Sequence, residues 1–360
     1  MSRTYLDYNA TAPLRPEARA AMCAAMDVVG NPSSVHAEGR AAKALVERAR
    51  GQVAAAVGCK PREVVFTSGA TEAARFLARA PGSAQDVFVQ DTAHDALWAH
   101  VKMDAWPDHP GGPGHTLAMG LANSETGVVT QPPEQVDGQW PFGQARADWL
   151  CLDVTQAIGR IPFAFSWSGA DFAILSAHKL GGPKGVGALI VRQGVDIAPL
   201  AEGGGQEMGR RSGTENIVGI AGFGAAIEAA MRDLEAGVWA RVEEFRNILE
   251  NLIAQSANKT IFVGKAETRL PNTSCFATPG WKGETQVMQM DLAGFAVSAG
   301  SACSSGKVRE SRVLRAMGYP SDVAGSAIRV SLGPDTTEDD VRRFAEAWIA
   351  AYQRFQARNT

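Results

Sequence analysis

The chain lacks several things whose absence narrows what it can be. No run of eighteen apolar residues occurs, so no membrane-spanning helix is expected. Lys and Arg number 35 against 38 Asp and Glu, a formal charge of -3, and no basic excess exists to attract nucleic acid or an anionic membrane. Small neutral or zwitterionic ligands fit better. The five cysteines, Cys23, Cys59, Cys151, Cys275 and Cys303, are odd in number and scattered, with no CxxC pair, which argues against disulfides and structural zinc. The start, MSRTYLDYNATAPLRPEAR, lacks the regions of a signal peptide, and a cytoplasmic location is expected. No internal repeat is seen, and the one Gly/Pro-rich stretch, WPDHPGGPGH, reads as a surface loop.

What is present is ordinary globular material, 45% hydrophobic and 20% charged over 360 residues, enough for two domains. Between about residues 16 and 236, the apolar runs EVVFT, DVFVQ, HTLAMGLA, DWLCLD, DFAILS and GALIVR read as strands. The segments SSVHAEGRAAKALVERARGQVAAAV and TEAARFLARA between them read as helices. Such alternation predicts an α/β fold with a mostly parallel sheet, whose ligands gather at the carboxyl ends of the strands. A long helical stretch from Ile217 to Ala257, broken near Gly237, leads into a smaller α+β domain expected to comprise 1–15 and 237–360.

Three places carry chemistry. In FAILSAHKLGGPKGVGALIV a strand ends at Ser176 and Lys179 follows at once; partial desolvation there would favour an imine with an aldehyde. Taken alone, such a lysine is more often a solvated loop residue. In VVFTSGATEAARF the N–H groups of Gly69, Ala70 and Thr71 open a helix and suit a phosphate, although a capping box made by Ser68 or Thr71 explains the same letters. In LCLDVTQAIG, Asp153 ends a strand and can hold a positive charge, with Gln156 within reach of a neighbouring oxygen; an N-cap aspartate is the plainer alternative. A lysine, an anion site and an acid that keeps a ring nitrogen protonated are together the parts that pyridoxal phosphate needs.

Beyond these, YLDYNATAP, GNPSSVHAEGR, VVFTSGATEA, NSETGV, DVTQAIG, SAHKLGGPKGVG, GGGQEMGRRSGTEN, SAGSACSSG and AIRVSLG follow one another along nearly the whole chain. In them the sequence resembles the cysteine desulfurases, the NifS/IscS-like branch of the class V aminotransferases. The resemblance implies the fold type I of pyridoxal-phosphate transferases, a large domain with a mostly parallel seven-stranded sheet and a small α+β domain. It implies that Lys179 is the Schiff-base lysine and proton carrier, that Asp153 pairs with the pyridine nitrogen, that Gln156 bonds the phenolic oxygen and that His94 stacks on the ring. Apart from the resemblance, His94 would be an exposed helix-start histidine. The phosphate is expected at Ala70, Thr71, Ser176 and His178, with Thr214 reaching across from the partner of a homodimer.

For the substrate, L-cysteine, the resemblance implies Arg329 as the carboxylate's partner and Asn123 as a further contact. Otherwise Arg329 would be a surface residue of an edge strand and Asn123 a turn former. Cys151 in WLCLD and Cys275 in SCFAT read as core thiols. Cys303 stands among Gly, Ala and Ser, with no large apolar neighbour, and a movable segment from 300 to 309 is expected. In the family the equivalent thiolate attacks the substrate sulfur, leaving alanine and a persulfide destined for a sulfur acceptor or an iron–sulfur scaffold protein. The rivals are a selenocysteine lyase or another class V enzyme on this fold and, from another class, a non-catalytic sulfur-relay scaffold. Between His94 and Asn123 the chain is shorter than typical relatives by about one strand-helix unit.

Overall fold

The computed structural model describes residues 3–79, 87–101, 114–300 and 310–359. It divides into two compact units, one of residues 13–121 with 131–232 and one of residues 1–12, 122–130 and 233–360. The short piece 122–130 therefore packs with the second of these, although from sequence it falls inside the larger domain.

In the larger unit all six of the apolar runs form strands of one sheet. Their order is Val64–Thr67, Gly187–Val191, Phe172–Ser176, Trp149–Asp153, Thr116–Gly120 and Val87–Val89. The last four run parallel to one another, and Gly187–Val191 is antiparallel to both of its neighbours. Among the described residues the sheet thus has one strand fewer than the seven expected. Between Trp98 and Asn123 Thr116–Gly120 is the one strand among the described residues.

The strands read as unbroken apolar runs because both faces are covered. Leu150, Cys151, Phe172, Ile174 and Leu189 are all fully buried, each large side chain contributing roughly 1.5–3 kcal/mol. The expected helix over SSVHAEGRAAKALVERARGQVAAAV is Ala37–Val57; His36 caps its start and Gly58, in the left-handed region at φ 74°, ends it. TEAARFLARA behaves differently. Only Ala70–Ala73 is α-helical, and Ala74–Arg79 tightens into 3-10 turns. That tightening carries Phe76 and Leu77 into the core, with the Phe76 ring 4.3 Å from that of Phe172.

The long helical stretch is two helices, Ile217–Glu235 and Val238–Ser256, and the break is at Gly237, which takes φ 72°. The smaller unit has an antiparallel sheet in the order Ile261–Phe262, Thr273–Ala277, Ala327–Ser331, Ser298–Ala299. Thr4–Tyr5 pairs in parallel with Phe295–Ala296 beside it. The helices Gly283–Leu292 and Glu338–Asn359 supply much of its apolar core, centred on Trp348. Trp348 is fully buried, and its indole N–H is satisfied by Gln286 Oε1 at 3.0 Å. No helix of the described residues is long and apolar enough to cross a membrane.

Candidate active site

Two of the expected groups of the larger unit, Asp153 and the segment 176–179, stand at adjoining strand ends. Asp153 closes one strand and stands in register with Ile174 of the next, whose last residue, Ser176, leads directly into the 3-10 turn Ala177–Lys179. Lys179 is half-buried there, at the carboxyl end of a fully buried strand. Asp153 accepts the Thr155 N–H through Oδ1 at 2.9 Å, so the local turn uses one of its two oxygens. Beside it, Thr155 Oγ1 is buried with no hydrogen-bond partner. Gln156 is buried and accepts from Arg160 through Oε1.

His178 is partly buried. That burial, together with the charges of Lys179 and Lys184, depresses its pKa to about 4, so at neutral pH it offers one N–H donor rather than a charge. His94 is the N-cap of Asp95–Trp98, its Nδ1 accepting the Ala96 N–H at 3.1 Å. His94 thus starts this helix, half-buried rather than exposed.

The turn at Ser68, Gly69 and Ala70 sits directly on the strand Gly187–Val191. A Cβ on Gly187 would stand 2.5 Å from the Leu175 carbonyl oxygen and 2.6 Å from Gly69 Cα, so only glycine permits this approach. Gly69 takes φ 154°, and a Cβ there would come 3.5 Å from Ser176 Oγ. Neither Ser68 nor Thr71 caps the helix by its side chain. Instead Glu72 accepts the Ser68 N–H and pairs with Arg211 at 2.9 Å. Burial alone would raise the Glu72 pKa, but the bonds from Arg211 and Ser68 outweigh it and hold the carboxyl below its usual range. The helix that follows is four residues long, so anion affinity at this turn rests on individual N–H groups rather than a long helix dipole.

The glycine-rich segment ending at Thr214 is fastened to the same region twice, by Arg211 to Glu72 and by Glu207 to Arg50. Both Glu207 oxygens accept from Arg50 at 2.8 Å, and Oε2 also accepts the Phe66 N–H at 2.8 Å. Thr214 itself is exposed.

The smaller unit carries the other named residues. Arg329 lies in an interior strand and is only 4% exposed, so the edge-strand alternative does not hold. Its Nη2 donates to Asp7 Oδ1 at 2.7 Å, its Nη1 to the Ser124 carbonyl at 3.0 Å, and its buried Nε has no hydrogen-bond partner. Asn123 makes a turn, Oδ1 accepting the N–H groups of Glu125 and Thr126, both at 2.9 Å.

Among the thiols, Cys151 and Cys275 are fully buried, and burial pushes both pKa values up. Cys59 is raised to about 12 by burial and by Glu63, whereas Cys23 is exposed. Cys303 lies outside the described residues, as do residues 301–309 of the segment expected to move. Sequence reasoning missed Arg160, Asp7, Glu72 and Glu207. Asp7, Glu72 and Glu207 lie inside the motifs YLDYNATAP, VVFTSGATEA and GGGQEMGRRSGTEN, and Arg160 follows Gln156 by four residues in a turn-forming stretch, but nothing in those stretches marks their partners.

The chain matches the family described as Aminotransferase class-V over residues 4–104 and 114–344. It is 38% identical over 392 aligned residues to a cysteine desulfurase from Frankia sp. (strain EuIK1), covering 98% of this chain and 92% of that one. A cysteine desulfurase from Cereibacter sphaeroides is 37% identical, with 96% and 95% covered. Among solved structures, a NifS-like protein from Rickettsia africae ESF-5 superposes with a TM-score of 0.81 at 28% identity, covering 98% of this chain and 99% of that one. The family match spans nearly the whole chain and the curated relatives align with it from end to end, and the chain belongs to the aminotransferase class-V family, among its cysteine desulfurases.

Proposed function

We propose that this enzyme is a pyridoxal-phosphate-dependent cysteine desulfurase, converting L-cysteine to L-alanine and keeping the sulfur as a persulfide on Cys303. The observation that carries this reading is the placement of Lys179 in the turn after Ser176, one strand away from Asp153. The donor set fits the cofactor. A carboxylate stands at a strand end beside an orphaned hydroxyl, Thr155 Oγ1, and a backbone cradle at Gly69 and Gly187 would be filled by any Cβ.

When bound, pyridoxal phosphate supplies an electron sink that acidifies the substrate's α-carbon. Lys179 would hold the cofactor and then carry the α-proton at Nζ. Asp153 would keep a proton on the ring nitrogen, Gln156 would donate to the phenolic oxygen and His94 would lie against the ring. Ala70, Thr71, Ser176 and the neutral His178 hold the phosphate by hydrogen bonds, joined by Thr214 of the other subunit in a homodimer. The Arg329 guanidinium takes the substrate carboxylate, with Asn123 beside it. Cys303 attacks as thiolate; a sulfur–sulfur bond forms as the substrate's carbon–sulfur bond breaks, and alanine leaves after protonation. The persulfide then passes, in the cytosol, to a sulfur acceptor or an iron–sulfur scaffold protein.

The test is incubation of the cofactor-loaded protein with L-cysteine and a thiol reductant, following alanine and sulfide for native protein and Cys303→Ala. Native protein should form both, and the variant should release neither at more than a trace. Equal rates would remove the persulfide step; no alanine from native protein would remove the enzyme reading. A run with L-selenocysteine ranks the two substrates.

A further inference from the structure

Arg160 is buried, and its guanidinium spans two residues of the candidate site. Nη1 donates to Gln156 Oε1 at 2.5 Å, with a longer approach to the Gln156 carbonyl at 3.4 Å, and Nη2 donates to the Lys179 carbonyl at 2.9 Å. Its backbone is placed just as firmly. Hydrogen-bonded turns starting at Val154 and at Ala157 lead the chain from Gln156 to Arg160, and Gly159, at φ 75°, presses against the helix Ile217–Glu235 so closely that a Cβ would stand 2.7 Å from that of Ala230.

A guanidinium has donors and no acceptor. The oxygen of the Gln156 amide must therefore face it, and the amide nitrogen must face the other way. The same cation satisfies the Lys179 carbonyl at a turn end where such groups are commonly left over. We propose that Arg160 is a positioning residue: it locks the Gln156 amide so that this side chain presents a donor, not an acceptor, and ties the backbone of Lys179 to it. The inference rests on the reading of Gln156 and Lys179 given above.

A donor held against the phenolic oxygen draws off negative charge beside the Lys179 nitrogen and lowers the pH at which that nitrogen loses its proton. With the lock removed, Gln156 is free to turn its oxygen inward, and the nitrogen keeps its proton to higher pH.

The experiment is a pH titration of the visible absorbance of protein loaded with pyridoxal 5'-phosphate, without substrate. R160M should raise the midpoint by about one pH unit, the size expected when one hydrogen bond to a charged group is lost. Q156A should raise it similarly, and R160M added to Q156A should move it no further, since the two residues act as one unit. R160K retains a donor for Gln156 Oε1 and should restore a near-native midpoint, and it carries the test if R160M does not fold by circular dichroism. A midpoint unchanged in R160M, or a full shift in R160K, or an R160M shift that persists undiminished in the Q156A background, would overturn the inference. A native protein without a visible band would instead bring down the cofactor reading on which it rests.

Discussion

Asp7 Oδ1 accepts a 2.7 Å hydrogen bond from Arg329 Nη2, while Asp7 Oδ2 accepts one of 2.8 Å from Ser298 Oγ. One carboxylate from the N-terminal motif YLDYNATAP thus fixes the guanidinium of an interior strand and the first residue of its neighbour. The arrangement leaves Arg329 oriented with its buried Nε unpaired. Removing Asp7 strands a buried cation. Asp7→Ala should cost about 3 kcal/mol in urea unfolding, within the range for breaking a buried pair. Asp7→Asn keeps an acceptor and should cost less, yet raise the KM for cysteine about tenfold with kcat nearly unchanged, because a guanidinium less firmly held binds the carboxylate in ground and transition states alike less well. Stability of Asp7→Ala within 1 kcal/mol of native would show that the pair contributes little net energy.

Gly187 gives a second test, at the cradle. The Cβ of Gly187→Ala would meet the backbone of Leu175 and Gly69, which cannot swing aside as a flexible side chain can. The turn must shift instead. The variant should lose about 1–3 kcal/mol through overpacking and bind pyridoxal 5'-phosphate at least tenfold more weakly, read by equilibrium dialysis. Gly185→Ala makes a useful contrast: there a Cβ has open space, and any cost comes only from its φ of 77°. Unchanged cofactor affinity in Gly187→Ala would remove the turn from the phosphate site.

The strands and long helices were legible because apolar period and turn residues agree along the chain, as at Gly58 and Gly237, each of which ends or breaks a helix where its left-handed backbone is needed. The position of Lys179 was legible too, since a lysine directly after FAILS has to stand at a strand end. Pairings between distant segments were not. Asp7 meets Arg329 across 322 residues and Arg50 meets Glu207 across 157, and nothing local in either sequence stretch marks the partner. The tightening of TEAARFLARA was equally hidden, because its apolar residues satisfy the α-helical period and only the docking of Phe76 on Phe172 selects the narrower turn.

Glu207 and Met208 form a strained pair of residues at φ 51° and 59°, both non-glycine in the left-handed region. Glu207 is held there by the fork from Arg50 and by the Phe66 N–H. Glu207→Gln should therefore destabilise by about 1–3 kcal/mol, since it removes the buried counter-charge of Arg50 and leaves it only the more exposed Glu47 at 3.2 Å. Met208 is 55% exposed, so its side chain has less packing to lose. Met208→Gly should stabilise the protein by about 0.5–1 kcal/mol by relieving the left-handed penalty. Chemical denaturation of the two variants checks both signs; a destabilising Met208→Gly would mean that the side chain's contacts outweigh the strain.

His178 supplies a pH test with a definite direction. Burial, then the charges of Lys179 and Lys184, hold its pKa at about 4, below the ordinary 6.5. Above about pH 6.5 the histidine is neutral in both folded and unfolded chains and contributes no slope. As the pH falls through that value the unfolded chain binds a proton that the folded one refuses, so stability declines down to about pH 4 and the contribution levels off below it. His178→Gln has no proton to take up. Its stability should fall less than that of the native apoprotein between pH 7 and pH 4.5, so the gap between the two urea-unfolding curves changes with pH while background carboxylate titration cancels. Parallel curves across that range would mean that His178 titrates normally in the folded protein, and that the imidazole, charged below pH 6.5, meets a phosphate as a cation.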